Sequence, residues 1–146
     1  MIEGADASQP DATGLTPLSW AALLGRADAA KALIAGGADL EATDSDGTTA
    51  LHCAAFMGEV AVARLLVENG ADVNATSDDG GTPLSATEAD ELTTQFIAGM
   101  LQIPVDEKKM ATGRAEIAKF LKAKGALPRH DVAEDPLAWL YLLVPG

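Results

Sequence analysis

The chain has 146 residues and carries 10 Lys+Arg against 22 Asp+Glu, a net charge of −12. That balance leaves no basic patch for a phosphate backbone or an anionic membrane surface, so neither nucleic acid nor membrane is expected as a partner. No apolar run reaches the ~20 residues of a membrane span, and Met1–Pro10 lacks the basic and apolar regions of a signal peptide; the expected location is cytoplasmic. A single cysteine, Cys53, permits neither an intrachain disulfide nor a cysteine metal cluster.

Residues 1–10 read as an N-terminal extension, after which the sequence repeats. Segments 11–43 and 44–76 share 14 identities over 33 positions, too many for chance even in an alanine-rich chain, so the period is structural. In the first unit Thr16 is placed to cap a helix and Pro17 to occupy its first position, where a missing N–H costs nothing. Ala21 and Ala22 are small enough for a neighbouring helix to come close. Gly25 ends this helix after two turns, and Gly58 does the same in unit two, each as a left-handed residue. Second helices are expected over 26–36 and 59–69, with Ala30, Leu33 and Ile34, then Ala63, Leu65, Leu66 and Val67, on one face. Gly37 and Gly70 stop them. Extended arms then lead into tight turns at Ser45-Asp46-Gly47 and Ser77-Asp78-Asp79-Gly80.

A third copy opens in step at Gly80, Thr82, Pro83 and Leu84. Its closing Gly125-Ala126 lies 55 rather than 33 residues after Gly70-Ala71, so this unit, 77–127, carries about 22 extra residues, placed around 89–113. It loses the second alanine and the inter-helix glycine, with Glu88 and Glu91 in their places. Leu92, Phe96, Ile97, Met100 and Leu101 recur at helical spacing. Only Gly99 interrupts the pattern from Leu84 to Ile103, and Pro104 stops it. Asp106 is a cap for a second helix toward Lys124, with Gly113 its weak point. The insertion is therefore expected as a long helical hairpin protruding opposite the turn tips, its apolar stripe packed on its own partner helix. The last segment, 128–146, contains the apolar run Leu137–Val144 behind the helix-starting pair Asp135-Pro136, and reads as a cap for the end of the stack.

The recurring lines DATGLTPLSWAALLG…LIAGGADLEAT and DSDGTTALHCAAFMG…LLVENGADVNAT, with SDDGGTPLSAT opening the third, resemble the ankyrin repeat. The resemblance covers about 11–87 and 114–127. It implies an all-α repeat solenoid of stacked helix-turn-helix units joined by β-hairpin-like turns, with turn tips and first helices lining a concave face. It also makes His52 a hydrogen-bonding group between neighbouring units.

No catalytic signature is present: no GxSxG, HExxH or CxxC, and no phosphate-cradling GxxxxGK[ST]. No catalytic residue, cofactor or metal site is expected. Cys53 reads as a small buried hydrophobe, and Asn74 as an amide bonded to its own turn. What remains is binding. The positions that the resemblance assigns to partners are Leu23, Leu24, Phe56 and Met57 near the ends of the first helices. Asp90 holds the matching helix position in unit three, and Asp46, Asp78 and Asp79 at the turn tips form an acidic row beside them. Large apolar side chains beside carboxylates suit a protein segment that is apolar and flanked by basic residues. The function expected is a non-enzymatic interaction module: an adaptor, inhibitor or scaffold. The rival reading is a self-associating protein, a weak homodimer held by the C-terminal apolar segment or the inserted hairpin.

Overall fold

A computed structural model describes residues 14–126, apart from Asp79 and Asp90. Seven helices lie among the described residues: α1 (Pro17–Leu24), α2 (Ala27–Ala35), α3 (Ala50–Met57), α4 (Val60–Glu68), α5 (Pro83–Ala86), α6 (Glu91–Leu101) and α7 (Glu107–Ala123). None is long and apolar enough to cross a membrane.

The helix ends follow the sequence signals. Thr16 accepts a hydrogen bond from the Ser19 N–H at 3.1 Å, with Pro17 in the first turn of α1. Thr49 and His52 make a reciprocal cap at the start of α3, and Thr82 and Ser85 make one at the start of α5. Gly25 and Gly58 close α1 and α3 at φ 69° and 72°, the left-handed region that side chains disfavour. Asp106 caps α7 through the Lys109 N–H at 3.1 Å, with Glu107 in the first turn and Lys122 in the last, both favourable to the helix dipole.

The helices stack in two layers. α1, α3 and α5 pack in sequence to form one; α2, α4 and α7 form the other. The core runs between them. Leu18, Leu51 and Leu84 occupy one repeated position and Leu66 and Leu121 another, all buried. Each such leucine contributes about 2 kcal/mol by leaving water. Alanines 21, 22, 54 and 55, also buried, let α1 and α3 approach closely. Between units the chain makes tight turns closed by backbone bonds such as Ser77 N–H to the Gly81 carbonyl oxygen at 2.8 Å.

Unit three departs from the expectation of one long helix. α5 stops at Ala86, where the Thr87 hydroxyl bonds the Leu84 carbonyl oxygen at 2.6 Å, competing with helix propagation. The chain restarts as α6, which ends at Gln102 (φ 57°) with the Ile103 N–H on the Ala98 carbonyl oxygen, before Pro104. α7 then runs unbroken through Gly113. That glycine is not a weak point, nor is the inter-helix glycine lost. Gly113 lies twelve residues before Gly125, as Gly58 lies twelve before Gly70 and Gly25 twelve before Gly37. It keeps the register but sits inside a helix, because the insertion supplies two extra turns ahead of it. A Cβ there would run into the Gly58 carbonyl oxygen and lie 2.7 Å from the Gly58 carbonyl carbon. Only glycine lets α7 lie against the end of α3.

The apolar stripe of the insertion is divided: Ile97 and Leu101 are half-buried, Leu101 against the core, while its other three residues stand open. Thr94 and Ala98 face inward and are buried, whereas Leu92, Phe96 and Met100 are exposed. The two sets differ by two positions, about 200° around a helix, so Leu92, Phe96 and Met100 lie on the far side of α6. The segment 128–146, expected as a cap, lies outside the described residues.

Candidate functional site

The turn tips are built from backbone and carboxylate together. In the first described tip Asp44 folds its carboxylate back, accepting from the Asp46 N–H at 2.8 Å and the Thr48 N–H at 3.0 Å. That frees the Asp46 carboxylate to stand outside, exposed. In the next tip the Asp78 N–H donates to the Asp46 carbonyl oxygen at 2.9 Å, tying one tip to its neighbour. The Asp78 side chain is exposed too. Asp46 and Asp78 are thus brought into one row. Asp79 and Asp90 lie outside the described residues.

His52 stitches the units beneath these tips. Its Nδ1 accepts from the Thr49 N–H at 3.1 Å, which leaves Nε2 as the protonated nitrogen, donating to the Gly81 carbonyl oxygen at 2.9 Å. The ring is 4% exposed and spans from unit two to unit three. Cys53, next to it, is buried as expected. Burial, reinforced by the nearby Asp44 carboxylate and only partly opposed by a hydrogen bond with Ser19, pushes its thiol up to about 12. Such a thiol is no nucleophile at neutral pH. The Asn74 side-chain amide donates to the Gly125 carbonyl oxygen at 3.2 Å and so ties unit two to unit three.

The predicted apolar strip is thinner than the sequence suggested. Leu24 is 47% exposed. Its counterpart one unit on, Met57, is buried, and so is Leu23. The reason is stacking. Among the described residues α1 has a first-helix neighbour on one side only, whereas α3 lies between α1 and α5 and also carries α7. Leu23 turns inward toward the contacts of α1 with α2 and α3. Phe56 is half-buried, with the Arg114 guanidinium 4.9 Å from its ring centroid. Leu24 and the edge of Phe56 are what the strip still offers to solvent.

Arg114 is the residue that sequence reasoning missed. It lies two residues beyond the insertion's extra turns, at the position held by Glu59 in unit two, if one counts back from the closing glycines. Its Nε donates to the Phe56 carbonyl oxygen at 2.6 Å, at the open end of α3. One terminal nitrogen donates to the Ala89 carbonyl oxygen and the other to Thr94 Oγ1, both at 3.1 Å. A single side chain therefore ties the end of α3, the α5–α6 link and α6 together. Burial draws its pKa below the ordinary value, and a guanidinium remains a cation nonetheless. Lys109 adds a looser tie to Glu59 at 3.8 Å. Exposed pairs of this kind contribute little.

The arrangement is a repeat solenoid whose polar groups serve its own joints, with exposed carboxylates in a row at one edge. The chain matches the family model described as ankyrin repeats, three copies, over residues 1–77, more than half of its length; it belongs to the ankyrin repeat family. The match covers the two regular units and ends where the third begins. No curated protein matches the chain. Ankyrin repeats generally mediate protein–protein interaction.

Proposed function

We propose that this chain is a non-enzymatic interaction module that holds a protein partner along its turn tips and the adjoining first-helix ends. The observation that carries the reading is the tied row of tips. Asp46 and Asp78 are exposed on turns whose backbones are held by hydrogen bonds, one turn linked to the next, with the Asp78 carboxylate lying against Gly47. Turn backbones so fixed have little freedom left to lose on binding. Leu24, exposed at the C-terminal end of α1, is the apolar anchor that this reading assigns to the same partner. The matching partner presents an apolar side chain flanked by lysines or arginines. The acidic row speeds its encounter and sets its orientation, and the apolar anchor slows its release. Asp79 is read as a member of the same acidic row, and Asp90 as the first-helix-end contact of unit three. Leu23 and Met57, being buried, are read as supports of the strip rather than contacts. The reading includes a cytoplasmic location, which fractionation of the source cell tests.

The test uses the partner captured from source-cell lysate. Asp46→Asn with Asp78→Asn lowers its association rate and flattens the dependence on salt, and Leu24→Asp shortens its residence time. Both variants keep the helical spectrum. A partner whose kinetics ignore all three substitutions places the site elsewhere. The rival reading, self-association, predicts a mass of two chains in sedimentation, and the module reading predicts one.

A further inference from the structure

The outward face of α6 has no occupant among the described residues. Leu92, Phe96 and Met100 are 81%, 71% and 64% exposed and follow one another at intervals of four, one above the next along a single helix face. A single exposed leucine is ordinary, but three aligned large apolar residues form a patch. We propose that this patch is the docking face for the chain's own C-terminal apolar segment, Leu137–Val144, so that the insertion carries the seat for the tail. The proposal goes beyond the partner site at the turn tips and does not depend on it.

Three observations select this occupant. The first is supply. Beyond Ala126 the chain continues for 20 residues, and eight in succession, Leu137 to Val144, are apolar and need cover from water.

The second is reach. Arg114 holds α6 through Thr94, nine residues before the end of α7 at Ala123. Nine residues of helix rise about 14 Å, and crossing to the far side of α6 adds about 10 Å. The ten residues 127–136 extend to about 33 Å, enough to bring Leu137 onto the stripe.

The third is the weakness of the alternative, a second copy of this chain. Three side chains on one helix face offer about 400 Å² a side. The total of about 800 Å² is below the ~1,200 Å² of stable interfaces. Two chains of charge −12 also repel each other. A tethered segment needs less area, because its effective concentration is in the millimolar range without any second molecule.

Trp139 makes the test direct. In the full chain with Trp20→Phe it is the remaining tryptophan. The proposal predicts Trp139 emission to the blue of free tryptophan at every protein concentration, in a species sedimenting as one chain. Phe96→Asp, on an exposed face, moves the emission to that of free tryptophan and raises acrylamide quenching several-fold, with the spectrum of the remaining helices retained. Phe96→Ser gives the same result and replaces it if the charged variant perturbs α6. Blue-shifted emission that both variants leave unchanged overturns the proposal, because the tail is then seated elsewhere. Solvent-like emission in the parent chain overturns it as well. So does a blue shift that appears only with a doubling of mass, which assigns the face to a second copy.

Discussion

Gly113→Ala sets helix propensity against packing. In the interior of α7 alanine is better than glycine by about 1 kcal/mol, so a reading from local sequence predicts a stabilised protein. The structure predicts the opposite. The new Cβ would meet the Gly58 carbonyl oxygen and lie 2.7 and 2.9 Å from two further backbone atoms of Gly58. Backbone cannot swing aside as a side chain tip does, so α7 must lift from the end of α3. Overpacking of this kind costs about 1–3 kcal/mol, and a backbone-on-backbone clash belongs at the upper end. Subtracting the propensity gain leaves a net loss of about 2 kcal/mol. In a chain of this size that lowers the thermal midpoint by roughly 5–10 °C. Gly99→Ala is the matched control. Gly99 also lies inside a helix, but a Cβ there meets nothing within 4 Å, so the substitution is neutral or stabilising by up to about 1 kcal/mol. Urea and thermal unfolding of the two variants beside the parent give both numbers. A Gly113→Ala protein as stable as the parent, or more so, refutes the account of how the insertion joins unit two.

Three further outcomes follow from other joints of the molecule. Arg114→Met removes three hydrogen bonds to the Phe56 and Ala89 carbonyl oxygens and to Thr94; hydrogen exchange should quicken across α6 while α1 and α2 keep their protection, and equal protection throughout would contradict the tie. His52→Ala removes the ring that accepts from the Thr49 N–H and donates to the Gly81 carbonyl oxygen, which keeps the Ser77 N–H, and costs about 1–2 kcal/mol in equilibrium unfolding, so a loss under about 0.5 kcal/mol would show that the ring is not the stitch between units. Cys53 should resist thiol reagents at neutral pH until the chain unfolds. Its thiol stays protonated in the fold up to about 12, against an ordinary value of 9.0, so above pH 9 the unfolded chain loses a proton that the folded chain keeps. Stability therefore falls by about 1.4 kcal/mol per pH unit between these values, and Cys53→Ala flattens that slope.

The regular units were legible because their signals are local. Thr16 and Pro17 start a helix, and Gly25 and Gly58 stop one, through bonds within a few residues. Second helices expected over 26–36 and 59–69 run Ala27–Ala35 and Val60–Glu68. What the sequence hid depends on neighbours. Leu24 and Met57 hold one repeated position, yet one is exposed and the other buried, since only α3 is sandwiched and covered. Periodicity along a helix does not carry that information. The α6 stripe reads the same whether it faces a partner helix or solvent, so its outward orientation was equally invisible. Arg114 escaped notice because its partners are carbonyl oxygens and a hydroxyl, which leave no charge pattern in the sequence. One signal was available: counting back from Gly125 recovers Gly113 and Arg114 in register with Gly58 and Glu59. Counting forward from Gly58 misses them, because the insertion falls in between.

The binding claim meets its most direct test in affinity capture from source-cell lysate, with the parent chain beside a variant carrying Leu24→Asp, Asp46→Asn and Asp78→Asn, read by mass spectrometry. The account predicts a protein held by the parent and lost by the variant, with exposed basic residues flanking an apolar segment at its contact. A protein held equally by both chains would contradict the assignment of the turn tips and Leu24 as the binding surface.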